Sequence, residues 1–204
     1  MSSLFLPPLD AQGFWPLANK VHSPNQDERP LGVPVDLVVV HSISLPPGIF
    51  GGPQVQQLFT NTLDSNEHPY FAQLAHLRVS AHFFINRKGV LTQFVSTYRR
   101  AWHAGVSCLE IEGSKRERCN DFSIGIELEG TDTTAFSETQ YQTIASLAQV
   151  INTAHPIAHW RGHNEIAPGR KTDPGPYFDW DWLLKEAAID RHMRPQQTQG
   201  QPVR

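Results

Sequence analysis

The sequence is poor in cysteine, in long apolar runs and in net charge, and each shortage excludes a class of protein. Two cysteines, Cys108 and Cys119, occur among 204 residues, which are too few for a disulfide scaffold. No apolar run reaches the roughly 18 residues that a membrane-spanning helix needs. The net charge of −3 gives no general attraction to nucleic acid or to an anionic membrane. We therefore expect neither nucleic acid nor a membrane as a partner. We also expect a monomer.

The first residues also lack the basic and apolar regions of a secretory signal, so a cytoplasmic location is expected. Histidine, in contrast, is abundant. Ten histidines occur in the chain, and this number justifies a search for metal ligands.

Periodicity and turn signals predict a single α/β domain with a mixed central β-sheet flanked by helices. Strands are expected where β-branched or alternating residues run between turns, and helices where apolar residues recur every three or four positions. The best-marked helix begins at Ser137, which forms a capping-box pattern with Gln140. The predicted strands span 35–41, 82–86, 90–96 and 122–129, and the predicted helices span 54–59, 67–76, 137–155 and 179–188.

Composition divides the chain into three parts. Residues 1–34 are rich in Pro, Asn and Asp and are expected to form an irregular arm packed on the domain. Residues 35–189 are the predicted domain itself. Residues 190–204 are polar and aperiodic, which predicts a disordered tail.

Two places in the sequence carry residues suited to chemistry. His41 ends the first predicted strand and precedes a Pro/Gly-rich loop, a position where open sheets commonly bind ligands. Further along, the run GHNEIAPGRKTDPGP (162–176) sets Lys171 and Asp173 two positions apart before a proline. Because a proline favours extended backbone in the residue before it, these two side chains should face one pocket and Thr172 should face away.

The residue types at these places fit catalysis by a zinc ion. A catalytic zinc takes three N, O or S ligands and keeps one position open, and His41, His163 and Asp173 can supply the three ligands. Zinc lowers the pKa of a bound water to about 7. Glu127, expected on the open face of its strand, is then the candidate general base. Lys171 is the candidate group that stabilises an oxyanion.

Structural roles explain the same residues equally well. Lys171 and Asp173 before Pro-Gly can form a solvated turn. His41 can be a hydrogen-bonded residue at a strand end. Glu127 can be a solvated strand residue, and Glu129 shares its face. The residues alone leave these alternatives open.

A second histidine pair, His159 and His163, has the i, i+4 spacing of helical zinc ligands. However, Pro156 and Gly162 argue against a helix at that point. The sequence also contains no HExxH motif, so the common zinc-peptidase helix is not expected.

Five stretches in chain order resemble one known family. They are VVVHSISLPPGIFGGP, HPYFAQLAHLRVSAHF, RRAWHAGVS, RERCNDFSIGIELEGTD and GHNEIAPGRKTDPGP. Together they resemble the AmpD-type amidases, cytoplasmic N-acetyl-anhydromuramoyl-L-alanine amidases of peptidoglycan recycling, from about residue 13 to about residue 185. The wider superfamily includes phage amidase lysozymes and peptidoglycan recognition proteins.

The resemblance implies a zinc amidase fold and a zinc ion on His41, His163 and Asp173. It implies that Glu127 is the catalytic base and that Lys171 stabilises the transition state. The expected reaction is hydrolysis of the amide between anhydro-N-acetylmuramic acid and L-alanine of a muropeptide. In bacteria with an inducible β-lactamase, removal of anhydromuropeptides would also keep that induction low.

The resemblance also implies substrate contacts by Ser42, Arg78, Trp102, His103 and Arg118. As alternatives, the two arginines can form surface ion pairs and the tryptophan can belong to the core. The chain departs from the family at two places. Ser42 stands where many members carry Asn, and 108–116 is longer than usual, with an insertion around 109–112.

Two other functions are compatible with the same motifs. One is a lytic amidase that acts on intact peptidoglycan outside the cytoplasm. The other is a non-catalytic module that binds muropeptides, as in superfamily members that lack a metal ligand.

Overall fold

The structure is a computed structural model that describes residues 6–74 and 76–194. The described residues form short strands and helices in an alternating order. The strands are β1 (Asn19–Lys20), β2 (Gln26–Asp27), β3 (Leu37–Ile43), β4 (Phe83–Ile85), β5 (Leu91–Gln93), β6 (Arg100–Ala101), β7 (Cys108–Ile111), β8 (Ser114–Glu117), β9 (Ser123–Glu129) and β10 (His159–Gly162). The helices are α1 (Gln54–Phe59), α2 (Pro69–Leu74), α3 (Glu138–Ala154), α4 (His163–Ile166) and α5 (Trp180–Glu186).

Six of these strands form one mixed sheet in the order β1-β5-β4-β9-β3-β10. Only β4 and β5 pair antiparallel, and the other pairs are parallel. Strands β2 and β6 form a separate antiparallel pair, and so do β7 and β8. This architecture confirms the predicted α/β domain with a mixed central sheet.

The two faces of the sheet bury different clusters of side chains. Because successive strand residues point to opposite faces, Val38 and Val40 pack with α3 and α5, whereas Leu37 and Val39 pack against α4 and the β7–β8 hairpin. His41 continues the second set. Both faces of the central strands are therefore covered, as is usual for parallel strands.

Several predicted elements are confirmed with similar boundaries. Helix α1 matches its predicted span, and the hairpin of β4 and β5 forms within the predicted one. Ser137 caps α3, with its side chain accepting from the N–H of Gln140 and the Gln140 side chain accepting from the N–H of Ser137. The helix predicted at 67–76 is shorter, and Ala75 lies outside the described residues.

The central strands differ from the prediction in their ends. Strand β3 continues to Ile43, because its pairing with β9 continues to the partner Glu129. His41 therefore lies within the strand and not at its end. Phe122 does not share the face of Ile124, because it ends a 3-10 turn and packs in the cluster of Leu37.

Several of the described elements were not predicted from the sequence, namely the short elements β1, β2, β6 and α4, strand β10 and the β7–β8 hairpin. Strand β10 contains a buried Arg161, whose guanidinium donates to the carbonyls of Trp160 and Met193. Because polar residues are not expected in a buried strand, the sequence did not predict this one. The predicted insertion at 108–116 is the β7–β8 hairpin. Its turn residues Glu112 and Gly113 both have positive φ. An Asn-Gly pair at these positions would have been a clearer sequence signal for a hairpin.

The arm at 1–34 contacts the sheet through its described residues. Strand β1 pairs with β5, and the buried Trp15 donates its N–H to the side-chain oxygen of Gln93. Further along, the Arg29 guanidinium donates to the carbonyls of Thr97, Asn120, Asp121 and Ser123. The division into arm, domain and tail stays a prediction.

The first residues of the predicted tail have regular structure. Residues 191–193 form a 3-10 turn, Arg194 pairs with the buried carboxylate of Glu165, and its guanidinium lies 3.9 Å from the ring centre of Trp180. These contacts mean that regular structure continues past the predicted start of the tail at 190. Residues 195–204 lie outside the described residues.

Among residues 6–74 and 76–194, no helix combines the length and the apolar character that crossing a bilayer requires.

Candidate metal centre and active site

The candidate site begins with two adjacent strands of the sheet. Strands β3 and β9 are parallel, and His41 is the register partner of Glu127. Because partner residues in a sheet point to the same face, the imidazole and the carboxyl group both leave the sheet opposite α3. Both side chains are buried.

His163 reaches the same place from the neighbouring strand. Strand β10 pairs with β3 in parallel, with Gly162 beside Val40, and His163 follows as the first residue of α4. The N–H of Gly162 donates to Glu165 Oε2 at 2.6 Å, which fixes the turn between strand and helix. The sequence placed His163 in a loop between two helices, and the structure corrects this to a strand-to-helix junction.

Asp173 comes from the loop after α4. Its carbonyl accepts from the N–H of Asn164 at 2.9 Å, which ties the loop to the start of the helix. Lys171 and Asp173 both line one cavity, as their spacing predicted. Thr172 is also among the residues that line the cavity, although its side chain was predicted to face away.

Each of the three candidate ligands contributes one donor atom to a close cluster. His41 Nδ1 lies 2.9 Å from His163 Nδ1, and each of these nitrogens lies 3.1 Å from Asp173 Oδ2. One metal ion with bonds of about 2 Å can contact three atoms at such separations. Two imidazoles and a carboxylate are donors that suit zinc. Among the described residues, His41, His163 and Asp173 form a group of side chains that could hold a metal ion.

A hydrogen bond at Nε2 of His163 leaves the lone pair on Nδ1, the atom that faces the other candidate ligands. Its Nε2 lies 3.2 Å from the carbonyl oxygen of Ala104, which can only accept, so Nε2 carries the proton. In the neutral ring Nδ1 is then free to bind a metal. Burial and then the nearby His163 lower the pKa of His41 to about 4, so the His41 ring is neutral near pH 7.

Glu127 provides a buried carboxyl group beside these ligands. Burial, and then the negative charge of Asp173, raise the pKa of Glu127 well above its usual value, while the positive charge of Lys171 opposes them. Its Oε2 is buried and has no hydrogen-bond partner within the described part of the protein. A buried polar atom without a partner is uncommon and requires an explanation, which a role in the candidate site would provide. Strand β9 is buried along its length, so the face predicted to be open is accessible only through the cavity that Glu127 lines.

A cavity of about 550 Å³ opens over this group of residues. Its lining includes the three candidate ligands and Glu127, Lys171, Ser42, Trp102 and His103. Its volume is within the range of small-molecule sites.

Two predicted substrate contacts lie outside this lining. Arg78 donates to the carbonyl of Leu77, and Arg118 pairs with Asp121 at 3.3 Å. Arg118 lines a neighbouring cavity of about 530 Å³, which shares Arg170 with the first one. A substrate that contacts Arg118 must therefore extend beyond the cavity of the candidate ligands.

Sequence reasoning missed the part that main-chain atoms play at this site. The carbonyl of Ala104 accepts both from His163 and from the guanidinium of Arg170 at 3.0 Å. Arg170 also donates to the carbonyl of Val106. Arg170 stands beside Lys171 in the quoted run, but no side-chain pattern reveals a hydrogen bond to a carbonyl.

Comparison with known proteins identifies the family of the chain. The family model of N-acetylmuramoyl-L-alanine amidases matches residues 31–176. The chain therefore belongs to the N-acetylmuramoyl-L-alanine amidase family and is an enzyme, which confirms the predicted class.

Within this family the chain is similar to the AmpD proteins. It is 55% identical to the 1,6-anhydro-N-acetylmuramyl-L-alanine amidase AmpD of Citrobacter freundii over 171 residues, which are 83% of this chain and 89% of that protein. A crystal structure of a selenomethionine derivative of AmpD superposes with a TM-score of 0.81 at 55% identity, covering 86% of this chain and 97% of that one.

A more distant relative was solved with a ligand. It is the amidase AmiD of Escherichia coli in complex with the substrate anhydro-N-acetylmuramic acid-L-Ala-D-γ-Glu-L-Lys. AmiD is 27% identical, with a TM-score of 0.54, and the match covers 78% of this chain and 60% of that one.

Proposed function

We propose that this protein is a zinc-dependent amidase that hydrolyses the bond between 1,6-anhydro-N-acetylmuramic acid and the L-alanine of a muropeptide. One observation carries the proposal. The donor atoms of His41, His163 and Asp173 meet within hydrogen-bond distance in a cavity that also holds Glu127 and Lys171.

His41, His163 and Asp173 would hold the zinc ion. When bound, zinc acts as a Lewis acid that polarises the amide carbonyl and lowers the pKa of water. The chain supplies the remaining chemistry through two further side chains.

Glu127 accepts a proton from the attacking water and later donates it to the leaving amine of L-alanine. A buried carboxyl group with a raised pKa suits this exchange, because it holds a proton more readily than an exposed one. Lys171 places a positive charge where the oxyanion develops on the carbonyl oxygen. The amide bond breaks and the water oxygen becomes part of a muramoyl carboxylate. One proton of the water reaches the amine nitrogen through Glu127, and the second converts that amine into an ammonium group.

The substrate class is supported by the names of the relatives, which include 1,6-anhydro-N-acetylmuramyl-L-alanine amidases. Ser42 and Trp102 line the cavity and are proposed to contact the muropeptide. Arg78 and Arg118 remain proposed contacts for the part of the peptide beyond the cavity.

We also place the enzyme in the cytoplasm, in peptidoglycan recycling, where removal of anhydromuropeptides would limit β-lactamase induction. The resemblance to AmpD-type enzymes is the support for this assignment. Fractionation of cells that express the native protein tests it, and recovery in the periplasm would contradict it.

Mass spectrometry of the products tests the reaction. The protein is offered a 1,6-anhydro-muramoyl peptide and, in parallel, intact peptidoglycan sacculi, each with and without a zinc chelator. Release of free stem peptide from the anhydro substrate alone, abolished by the chelator, is the expected result. Equal or better cleavage of sacculi would identify a lytic amidase. Muropeptide binding without cleavage would identify a non-catalytic module.

A further inference from the structure

The His103 ring is in contact with a candidate metal ligand through one of its nitrogens. His41 Nε2 lies 2.9 Å from His103 Nδ1, and His103 Nε2 lies 3.1 Å from the hydroxyl oxygen of Ser123. We propose that His103 is a positioning residue that holds His41 in the one tautomer able to bind the metal. The inference rests on the metal site of the proposed function and deepens it.

Two proton arrangements satisfy this chain of three side chains. In the first, His41 Nε2–H donates to His103 Nδ1, and His103 Nε2–H donates to Ser123. In the second, every donor and acceptor is reversed, and the proton of His41 sits on Nδ1. Only the first arrangement leaves the lone pair of His41 Nδ1 directed at His163 and Asp173. Metal binding therefore selects the arrangement in which His103 accepts from His41.

The place of His103 is built by its surroundings. The ring packs directly on Gly125 of β9, where an added Cβ would lie 2.6 Å from His103 Nδ1 and force the ring to move. The side-chain oxygen of Asn120 accepts from the N–H groups of His103 and Ala104 at 3.2 and 2.8 Å. Main chain and ring are thus both fixed.

A positioning role and a substrate contact make different demands on His103. Both ring nitrogens are engaged by protein atoms, so a polar contact with a muropeptide would have to displace His41 or Ser123. If His103 acts through His41, its loss weakens metal binding in the absence of any substrate. If it acts on the substrate, its loss raises KM and leaves metal affinity unchanged.

Zinc affinity, measured by competition with a chromophoric chelator, tests the proposal without using activity. His103→Phe keeps a ring but removes the acceptor, and we expect its zinc dissociation constant to rise about 10- to 100-fold. His103→Asn retains an acceptor near the position of Nδ1 and should recover most of the loss. Gly125→Ala keeps His103 but displaces its ring, so it should weaken zinc binding as well.

Controls separate the effect from general damage. His155→Asn replaces another buried histidine, which contacts Thr97 and is not a candidate ligand, and it should leave zinc affinity unchanged. Circular dichroism and urea titration verify that each variant is folded. Unchanged zinc affinity in folded His103→Phe, or no recovery in His103→Asn, would overturn the positioning role while leaving the amidase proposal intact. Absence of zinc binding by the unmodified protein would overturn both.

Discussion

His41 and Glu127 are register partners on two adjacent parallel strands, and both side chains leave the same face of the sheet. The candidate metal ligand and the candidate base are therefore placed by the rigid centre of the fold. Only Asp173 and Lys171 come from a loop. Substitutions at the strand positions should therefore change chemistry without changing the position of the backbone.

Replacing Glu127 should separate metal binding from turnover. Glu127→Gln removes the proton acceptor but keeps the shape of the side chain, so zinc should stay bound while kcat falls about 10²-fold or more. Zinc content and steady-state hydrolysis of an anhydro-muramoyl peptide are the measurements. Near-normal turnover in a zinc-loaded variant would mean that another group is the base.

Replacing Asp173 should instead remove metal and activity together. Asp173→Ala deletes one of three donor atoms, so zinc affinity should fall by more than the roughly 10- to 100-fold typical of losing a partner of a ligand. Added zinc in excess should restore part of the turnover. Full zinc occupancy at stoichiometric metal would contradict the assignment of Asp173 as a ligand.

Lys171 is expected to act on the transition state. Lys171→Met keeps the length of the side chain and removes its charge, so kcat should fall about 10²- to 10³-fold with zinc still bound. The matched variant Lys185→Met changes a lysine of α5 and should have no effect on kcat. A change in KM alone would assign Lys171 to substrate binding.

The ion pair of Arg194 and Glu165 should stabilise the folded protein. The two side chains are 14% and 5% exposed, so Arg194→Ala would leave a buried carboxylate without its partner. We expect a loss of about 2 kcal/mol in the free energy of unfolding, measured with urea. The control Arg191→Ala breaks an exposed pair with Asp181 and should cost less than about 0.5 kcal/mol. Equal losses in both variants would contradict the expected difference.

Acid should destabilise the protein in part through His155. Burial, and then the positive charge of Arg29, lower the pKa of His155 from 6.5 to about 4 in the folded protein. Between these values the unfolded chain binds a proton that the folded chain does not, so stability falls as the pH drops from 6.5 towards 4.

The variant His155→Gln isolates this contribution. Its side chain can still bond the hydroxyl of Thr97, which His155 Nε2 contacts at 2.9 Å, but it cannot titrate. The loss of stability between pH 7 and pH 4.5 should be smaller in the variant by on the order of 2 kcal/mol. Equal losses would mean that His155 titrates normally.

The sequence predicted the elements whose signals are local. The capping box of Ser137 and the apolar stripe behind it defined α3 almost to the residue. The prediction of β9 was also close, because Ile124, Ile126 and Leu128 alternate and all face the helices. Both signals depend only on neighbours in the chain.

Features that depend on distant partners could not be predicted in the same way. Strand β10 is recognisable only when β3 is beside it. The guanidinium of the buried Arg161 within it donates to the carbonyl of Met193, which is 32 positions further along the chain. The candidate ligands were found because their residue types are chemically unusual. The contact of His103 with His41 joins residues 62 positions apart and has no sequence signal.

Arg29 has a consequence for how the protein is divided into fragments. The stretch that matches the amidase family begins at residue 31, two residues after this arginine. Its guanidinium donates hydrogen bonds to four main-chain carbonyls. One of them belongs to Ser123, whose hydroxyl contacts His103. A recombinant fragment that begins at residue 31 would keep every candidate catalytic residue but would lose the Arg29 guanidinium. We therefore expect a fragment that begins at residue 31 to be less stable than a chain that keeps Arg29, because four main-chain carbonyls would lose a hydrogen-bond donor.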